Sequence, residues 1–269
     1  MKTNPTLEIL ISTMNRKDLS FLEKMFPVLD LEQYQLLIIN QTKLDEDLVS
    51  DVEGIRVINS REFGLSKSRN LAIENATGDI LVIADDDIEY LPGFDKTILK
   101  AYETYPEASL ISFQFLDEKG KLAKLYPRYT GYISSNKRPL SSVEISIRRE
   151  DIIQNEIWFD KRFGLGTSLP CSEEQLFKQD IIIQGLKAAY IDQPILSHKG
   201  KTSSSDMGKP ELVRATTAYK FLMYKHWTYL WLMKYVFFLY RHTYISFLGQ
   251  IRAYKYGIRG ISELKKSSK

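Results

Sequence analysis

Three consecutive carboxylates are the first feature of this 269-residue chain that could carry chemistry. Asp85, Asp86 and Asp87 follow directly after the apolar run ILVIA. Side chains alternate along an extended backbone, so Asp85 and Asp87 should point one way and Asp86 the other. Adjacent carboxylates repel one another, and a bound Mg²⁺ or Mn²⁺ would relieve that repulsion and also hold substrate phosphates. The alternative interpretation is an acidic helix N-terminus.

A second acidic group, Glu173-Glu174, opens a segment at 172–185 that is typical of a helix. The helix dipole favours acids in a first turn, which is one interpretation of the pair. The other is that one of the two carboxylates acts as a general base. Cys171, the only cysteine, lies beside them and can form no disulfide within the chain. No motif marks it as a nucleophile, so we interpret it as a wall residue.

The elements that must position these acids alternate between strands and helices. Because strands separated by helices form right-handed βαβ units, we expect a mostly parallel sheet flanked by helices, with ligands outside the carboxyl ends of its strands. The apolar runs predict strands at 7–13, 35–40, 55–59 and 80–84, and the spacing of apolar residues predicts helices at 16–30 and 66–76.

The second half of the chain is more mixed. We expect a hairpin between 109–116 and 122–126, a half-exposed strand at 143–149, a strand at 188–192 and a loop at 197–209. His198 would lie in that loop. We therefore predict two parts, an α/β domain at 1–211 and a helical C-terminal extension at 212–269.

Charge is divided unevenly between these two parts. The chain has 37 Lys and Arg against 34 Asp and Glu, a net charge of +3. Residues 212–269 hold 11 basic residues and one acid (11 − 1 = +10), so residues 1–211 carry 26 − 33 = −7. The basic part also contains 14 of the aromatic residues. This pattern predicts an anionic partner for the C-terminal part.

Residues 1–6 are polar and precede no secretory segment, which favours the cytoplasm.

Several segments together resemble the family 2 nucleotide-sugar glycosyltransferases of the GT-A fold, particularly bacterial members that build surface polysaccharides. ILISTMNR is similar to their opening strand and turn. FGLSKSRNLAIENATGDILVIADDD is similar to their Arg-Asn helix, Gly-Asp turn, strand and Asp-x-Asp element. FDKRFGLGTSLPCSEEQLF is similar to their acceptor-side glycine loop and acidic pair.

The resemblance implies a metal and a donor site. Asp87 would bind Mn²⁺ or Mg²⁺ together with the sugar diphosphate. Asp85 would contact ribose, sugar or metal-bound water, and Asp86 would lie in the same donor site. Some relatives have a further metal ligand near the position of His198. Arg69 corresponds to the arginine on the nucleotide side.

The resemblance also implies contacts to the nucleoside. Ser12 and Thr13, at the end of the first strand, would lie against it. Many members have two aspartates after the second strand, one of which recognises uracil. This chain has Asn40 and Gln41 there, whose amides can both donate and accept hydrogen bonds. Both residues are therefore candidate base contacts, with a UDP-sugar as the first expectation, and ordinary strand-end turn chemistry is the alternative.

The chemistry that follows is an inverting displacement. Similarity to the family's acidic pair implies that Glu174 is the base, with Glu173 positioning it or binding the acceptor. As the sugar–phosphate bond breaks, the anomeric carbon becomes oxocarbenium-like and the diphosphate gains negative charge. The cation and Arg69 would stabilise that charge, while the base takes the proton of the attacking acceptor hydroxyl.

The basic, aromatic extension predicts membrane contact. Charged residues interrupt its apolar runs, so they are too short to span a bilayer. Lys234 and Arg241, seven residues apart, would share one face of an amphipathic helix. We expect a peripheral protein on the inner face of the cell membrane with a glycan or lipid-linked acceptor. Packing on the body or in an oligomer is the alternative.

Three other functions fit parts of the pattern. A metal-dependent nucleotidyltransferase would share the sheet and carboxylates, but the segment STMNRKD lacks the glycine-rich basic phosphate loop of such enzymes. A non-enzymatic protein that binds nucleic acid or a membrane through the basic extension is the second, although the acidic body argues against nucleic acid as the partner. An inactive, scaffolding homologue of the glycosyltransferases is the third, and the presence of Asp87 and Glu174 argues against it.

Overall fold

A computed structural model gives the fold, and it describes residues 5–27, 31–43, 45, 47–133, 140–199 and 206–267. The chain divides into two compact units. One comprises Met1–Phe63, Lys67–Trp158 and Phe177–Gly200; the other comprises Gly64–Ser66, Phe159–Leu176 and Lys201–Lys269. The glycine-containing segment around 164–166 groups with the C-terminal helices in the second unit.

The first unit contains one nine-stranded sheet with the order β3-β2-β1-β4-β8-β6-β9-β5, and β7 pairs with β9. The strands are β1 Leu7–Met14, β2 Gln35–Gln41, β3 Ile55–Ser60, β4 Ile80–Asp85, β5 Ile88–Tyr90, β6 Ala108–Leu116, β7 Gly131–Ile133, β8 Ile145–Arg148 and β9 Lys187–His198.

The helices complete the two units. They are α1 Phe21–Met25, α2 Leu65–Asn75, α3 Phe94–Thr104, α4 Arg149–Gln154, α5 Glu173–Ile183, α6 Pro210–Tyr224, α7 Thr228–Arg241 and α8 Gly249–Lys266. Short 3₁₀ turns lie at Leu31–Gln33, Ser142–Glu144 and Lys225–Trp227. No helix in the part of the chain that the structure describes is long and apolar enough to cross a membrane.

The expected parallel sheet is present in the half that carries the acidic triplet. Strands β1, β2, β3 and β4 pair only in parallel with one another. Beyond β4 the sheet is mixed, since β8 pairs antiparallel with both β4 and β6, whereas β9 is parallel to β6. The four predicted strands at 7–13, 35–40, 55–59 and 80–84 are all observed. Three of them, β1, β2 and β4, are continuous apolar runs buried on both faces, whereas β3 at the edge of the sheet is only partly buried.

Three predictions for other elements were wrong. The helix expected at 16–30 is confined to Phe21–Met25 within the described residues. Residues 122–126 form only an isolated bridge, between Leu122 and Leu116, rather than a strand. The strand expected at 143–149 shortens to β8, with a 3₁₀ turn before it and α4 after it.

A buried glutamate fixes the spacing of β1 and β4. Glu8 accepts hydrogen bonds from the backbone N–H groups of Thr77 at 2.6 Å and Gly78 at 2.8 Å, and from Arg56 at 2.7 Å. A Cβ on Gly78 would lie 2.7 Å from the Cβ of Glu8, so only glycine fits this turn. The turn between α2 and β4 is therefore fastened to β1, and β4 enters the sheet in a fixed register.

The strand after the acidic triplet is anchored by aromatic packing. Tyr90, in β5, is buried and stacks on Phe94, with ring centroids 4.1 Å apart, and on Phe26 at 5.2 Å. Burial raises the pKa of the Tyr90 hydroxyl well above its usual range. This packing belongs to the main core of the first unit, and it holds the backbone on the far side of Asp87 in place.

Candidate active site

The predicted donor-site residues of the first unit meet at the carboxyl ends of three parallel strands. Ser12 of β1 is in register with Asp85 of β4, and Thr13 is in register with Asn40 of β2. Because parallel strands end at the same edge of the sheet, these residues come together although they are far apart in the sequence. This edge is where open α/β sheets bind their ligands.

Asp85 faces a buried arginine. The guanidinium Nη2 of Arg69 donates to Asp85 Oδ1 at 2.9 Å and to Ser142 Oγ at 2.7 Å. The Arg69 side chain is 1% exposed and that of Asp85 is 30% exposed. Arg69 is therefore not a solvated residue on the surface of its helix. Its side chain is buried and pairs with Asp85, the first carboxylate of the acidic triplet Asp85, Asp86 and Asp87.

Asp86 turns to a different element, the turn after β1. Its Oδ2 accepts from Arg16 Nε at 2.8 Å, from Arg16 Nη2 at 2.6 Å and from the hydroxyl of Thr13. The guanidinium of Arg16 also lies 5.0 Å from the centre of the Phe21 ring. Arg16 was not singled out as a site residue from the sequence. Its position in the ILISTMNR segment was the available signal.

Asp87 faces the last residue of β9. Ile88 is in register with His198, and His198 Nε2 lies 3.3 Å from Asp87 Oδ1. The hydrogen bond from His198 lowers the pKa of Asp87, opposed by partial burial. The expected loop around His198 was wrong at this point: His198 ends a strand, and its imidazole is only 13% exposed and makes an edge contact with Phe115.

The donor set at Asp87 fits a divalent cation in part. Mg²⁺ and Mn²⁺ are commonly held by one or two carboxylates together with substrate phosphates and water. Asp87 and His198 could supply an oxygen and a nitrogen ligand, whereas Asp85 is engaged by Arg69. Over the described ranges of the chain, no group of three or more His, Cys, Asp or Glu side chains is arranged to hold a metal ion.

The side-chain amide of Asn40 is occupied by hydrogen bonds within the protein. Its amide nitrogen donates to the Arg16 carbonyl at 3.1 Å and to Asn59 Oδ1 at 2.9 Å, and its oxygen accepts from the Arg16 N–H at 3.1 Å. The residue is fully buried. This is the strand-end turn chemistry given above as the alternative, since Asn40 braces the turn that carries Arg16. A nucleotide base could reach this amide only by displacing those hydrogen bonds.

The remaining nucleoside candidates are nearly buried. The hydroxyl of Ser68, in α2, donates to the hydroxyl oxygen of Ser12 at 2.9 Å. Ser12, Thr13 and Gln41 are each less than a tenth exposed. Their base or ribose contacts stay predictions, and each would involve the small exposed part of the side chain or the strand-end backbone.

In the second unit, the acidic pair begins α5 after a strained residue. Ser172 has a φ of 80°, in the left-handed region, and immediately precedes Glu173. Glu173 is buried and Glu174 is half-buried. Of the two carboxylates, Glu174 is thus the more accessible, as a general base requires.

The glycine loop leaves room for Glu173. A Cβ on Gly164 would lie 2.9 Å from Ser66 Oγ and 3.5 Å from Glu173 Cδ, and Gly164 has a φ of +100°. Ser66 donates to the carbonyl of Phe163 at 2.7 Å, which ties the loop to the start of α2. Any larger residue at 164 would be strained in backbone and would crowd the hydroxyl.

The lone cysteine is unreactive where it lies. Burial and the charges of Glu174 and Glu173 raise the pKa of the Cys171 thiol to about 12. A thiol with such a pKa is almost entirely protonated at neutral pH and is a poor nucleophile. Cys171 packs against an apolar cluster that includes Leu169, Leu176 and Tyr219, consistent with its interpretation as a wall residue.

The acidic triplet Asp85, Asp86 and Asp87 thus lies at the carboxyl end of a central strand, where open α/β sheets bind their ligands. The family model described as "Glycosyl transferase family 2" matches residues 8–162, more than half of the chain. The chain belongs to this family. The expected family 2 membership and α/β fold are thereby confirmed.

Solved structures share the fold at low sequence identity. The chain is similar to S. aureus TarS 1–349, with 15% identity and a TM-score of 0.56 over 95% of this chain and 81% of that one. The same TarS fragment in complex with UDP-GlcNAc gives 14% identity and a TM-score of 0.58 with the same coverage. Its complex with UDP gives 17% and 0.55 over 90% of this chain and 72% of that one. No curated protein sequence matches the chain significantly.

Proposed function

We propose that this protein is an inverting glycosyltransferase that moves a sugar from a nucleotide-diphosphate donor to a hydroxyl group of a glycan or lipid-linked acceptor. The observation that carries the proposal is the end of β4, where three carboxylates face three different basic side chains: Asp85 faces Arg69, Asp86 faces Arg16 and Asp87 faces His198. Membership of the glycosyl transferase family 2 supports it.

The donor diphosphate would bind at the Asp87 end of this group. Asp87 and His198 would hold the Mn²⁺ or Mg²⁺ that the family implies, which would offset negative charge on the leaving diphosphate. Arg69 orients Asp85 through the hydrogen bond from Nη2 to Asp85 Oδ1, so that Asp85 could contact ribose, sugar or metal-bound water. Ser12 and Thr13 would face the nucleoside at the strand ends.

A UDP-sugar is the first candidate donor. The support comes from the TarS structures, whose complexes contain UDP or UDP-GlcNAc. Because Asn40 is occupied by Arg16 and Asn59, we propose that it shapes the uracil site indirectly, by fixing the turn at Arg16. Gln41 is the next amide along β2 and remains the direct base contact of the proposal.

Glu174 would act as the general base. Its carboxylate would take the proton of the acceptor hydroxyl as that oxygen forms a bond to the anomeric carbon. The bond from the anomeric carbon to the diphosphate oxygen breaks, and its electron pair leaves with the nucleoside diphosphate. One displacement from the opposite face inverts the anomeric configuration. The buried Glu173 would position Glu174 or the acceptor.

We propose that the reaction takes place at the inner face of the cell membrane, in the synthesis of surface polysaccharide. The support is the basic, aromatic composition of residues 212–269. The membrane contact and the lipid-linked class of acceptor belong together, because an acceptor anchored in the bilayer is reached most readily by an enzyme held at its surface.

Donor turnover tests the proposed activity. The full chain is incubated with UDP-, GDP- and CMP-sugars and a panel of glycan acceptors, with Mn²⁺ or with EDTA, and nucleotide release and the anomeric configuration of the product are measured. We expect release of a nucleoside diphosphate, an inverted product and a loss of about 10²–10⁴-fold in Glu174→Gln. Glu118→Gln, in an exposed turn, is the matched control and should keep full activity.

Three results would contradict the proposal. A product that keeps the donor's configuration would exclude a single displacement. Full turnover in Glu174→Gln would remove the assigned base. Release of pyrophosphate from a nucleoside triphosphate, with no sugar transfer, would instead identify a nucleotidyltransferase.

A further inference from the structure

The outward faces of α7 and α8 combine apolar and cationic side chains. On α7, Leu230, Met233 and Phe237 are exposed, and Lys234 and Arg241 are exposed on the same side of the helix. The opposite side of α7 is buried in a core of the second unit through Leu232, Tyr235, Val236 and Leu239. The exposed apolar residues therefore do not belong to that core, which packs against the opposite side of α7.

Three strongly exposed apolar side chains lie where α8 begins. Phe247 and Leu248, just before α8, are 67% and 79% exposed, Ile251 in the first turn of α8 is 67% exposed, and we call these three residues the apolar tip. Exposed side chains of this size, so close together in the chain, are uncommon on a surface that meets only water. The apolar tip therefore calls for a partner that can cover it.

The charge along α8 is almost entirely of one sign. Arg252 and Lys255 lie near the apolar tip, whereas Lys265 and Lys266 lie in the last turn of the helix; all four are exposed, and we call them the basic face. From 225 to 267 the sequence contains one acidic residue, Glu263, and that carboxylate already accepts from Arg259 at 2.9 Å and lies 3.4 Å from Arg214. A partner for this region must therefore carry negative charge and also present an apolar surface or interior.

A second copy of the chain cannot meet this requirement through the same surface. A symmetric dimer places a surface patch against its own copy, which would bring the basic face and Arg241 close to like charges. An anionic lipid bilayer provides what is missing, since phosphate groups lie above acyl chains at one boundary. Trp and Tyr side chains, of which Trp227 and Tyr244 are exposed here, favour that boundary.

The helices present this surface on a rigid support. A Cβ on Gly260 would lie 2.3 Å from the carbonyl oxygen of Arg214, and one on Gly257 would lie 2.6 Å from Leu232. Only glycine at these positions lets α8 approach α6 and α7 so closely. The outward side chains are thus held on a packed three-helix framework rather than on a free tail.

We infer that the apolar tip and the basic face form a docking surface for the anionic bilayer of a membrane. The apolar tip enters the boundary between headgroups and acyl chains, while the basic face contacts lipid phosphates. This inference deepens the membrane contact proposed above by naming the residues that make it. It does not depend on the proposed sugar transfer.

Vesicle flotation of the full chain tests the inference. Vesicles of phosphatidylcholine with phosphatidylglycerol are compared with vesicles of phosphatidylcholine alone, at low and high salt. The tip variant is Phe247→Ser with Leu248→Ser and Ile251→Ser, and the charge variant is Arg252→Gln with Lys255→Gln. Matched controls change exposed residues of the first unit: Val49→Ser with Ile183→Ser, and Lys96→Gln with Lys100→Gln.

We expect the wild type and both controls to float with the anionic vesicles. The tip variant should bind at least about tenfold more weakly because apolar area no longer enters the bilayer. The charge variant should also bind about tenfold or more weakly, and the difference should shrink at high salt. Circular dichroism establishes that every variant is folded.

Each of three results would overturn the inference. If the tip variant floated as well as the wild type, the apolar tip would not make the membrane contact. Equal wild-type flotation on uncharged vesicles would remove the role of anionic lipid. If the wild type does not float but forms a dimer in the absence of lipid, and the tip variant does not form that dimer, then the surface is a contact between copies of the chain. Calorimetric binding of UDP to the same samples reports on the donor site separately, so a failure there leaves the flotation result intact.

Discussion

The imidazole Nε2 of His198 lies 3.3 Å from a carboxylate oxygen of Asp87. The contact arises because β5 continues directly from the acidic triplet and pairs antiparallel with the end of β9, which brings His198 opposite Ile88. Strand pairing, rather than proximity in the sequence, thus supplies the basic partner of the carboxylate that we propose as the metal ligand.

The hydrogen bond from His198 to Asp87 should make stability depend on pH in the acid range. Its pKa in the folded chain is lowered from 3.8, first by the hydrogen bond from His198. A carboxylate with a lowered folded pKa stabilises the protein above its unfolded pKa and loses that contribution as the pH falls through the folded value.

The variant Asp87→Asn isolates this contribution. At pH 6 the wild type should be more stable than the variant by less than about 1 kcal/mol, because Asp87 is mostly exposed and solvent screens the pair. The difference should shrink as the pH falls below 3.8 and through the lowered folded pKa of Asp87. Urea unfolding at pH 6 and at a series of more acidic pH values measures it. A difference that stays constant, or that grows in acid, would show that the ionised carboxylate is not what His198 stabilises.

Removing the buried guanidinium at Arg69 should destabilise the fold. The variant Arg69→Met keeps much of the side-chain volume but leaves Asp85 without its counter-ion and Ser142 without its donor. We expect a loss of about 2–4 kcal/mol in the free energy of unfolding. Lys67→Met is the control, because the exposed pair of Lys67 with Glu62 should contribute less than about 1 kcal/mol. Equal effects of the two substitutions in urea unfolding would be evidence against a structural ion pair at Arg69.

The amide of Asn40 should matter for folding before it matters for nucleotide binding. Asn40→Ala removes three hydrogen bonds that hold Arg16 and Asn59, and we expect it to cost about 2–4 kcal/mol. Gln35→Ala, at the exposed start of the same strand, should change stability by less than about 0.5 kcal/mol. If Asn40→Ala kept wild-type stability but lost UDP affinity, then Asn40 would be a base contact and the bracing role would be wrong.

The parallel half of the sheet could be predicted closely because β1, β2 and β4 are continuous apolar runs bounded by polar turns. The segment 122–126 could not, because its conformation depends on distant partners. Tyr126 donates to the buried Glu144, and Lys124 pairs with the same carboxylate at 2.8 Å. Such contacts hold an irregular segment in place without giving it a periodic pattern.

The candidate site was predictable in its acids and less so in their partners. The acidic triplet stands out in the sequence because three adjacent carboxylates after an apolar run are unusual. Arg16 does not, since its pairing with Asp86 requires the turn that Asn40 braces. The burial of Asn40 was likewise hidden, because an amide that reads a base and an amide that holds a turn have the same sequence signature.

Nucleotide binding at Asp87 tests the central claim most directly. Thermal unfolding of the wild type, Asp87→Ala and the control Asp117→Ala is measured with UDP, GDP and CDP, each with Mn²⁺ or with EDTA. A ligand at a hundredfold excess over its Kd stabilises the folded state by about 2.7 kcal/mol, which raises Tm visibly. We predict that one nucleotide raises Tm only with Mn²⁺, in the wild type and in Asp117→Ala but not in Asp87→Ala. An equal rise in Asp87→Ala, or no rise with any nucleotide, would contradict the account.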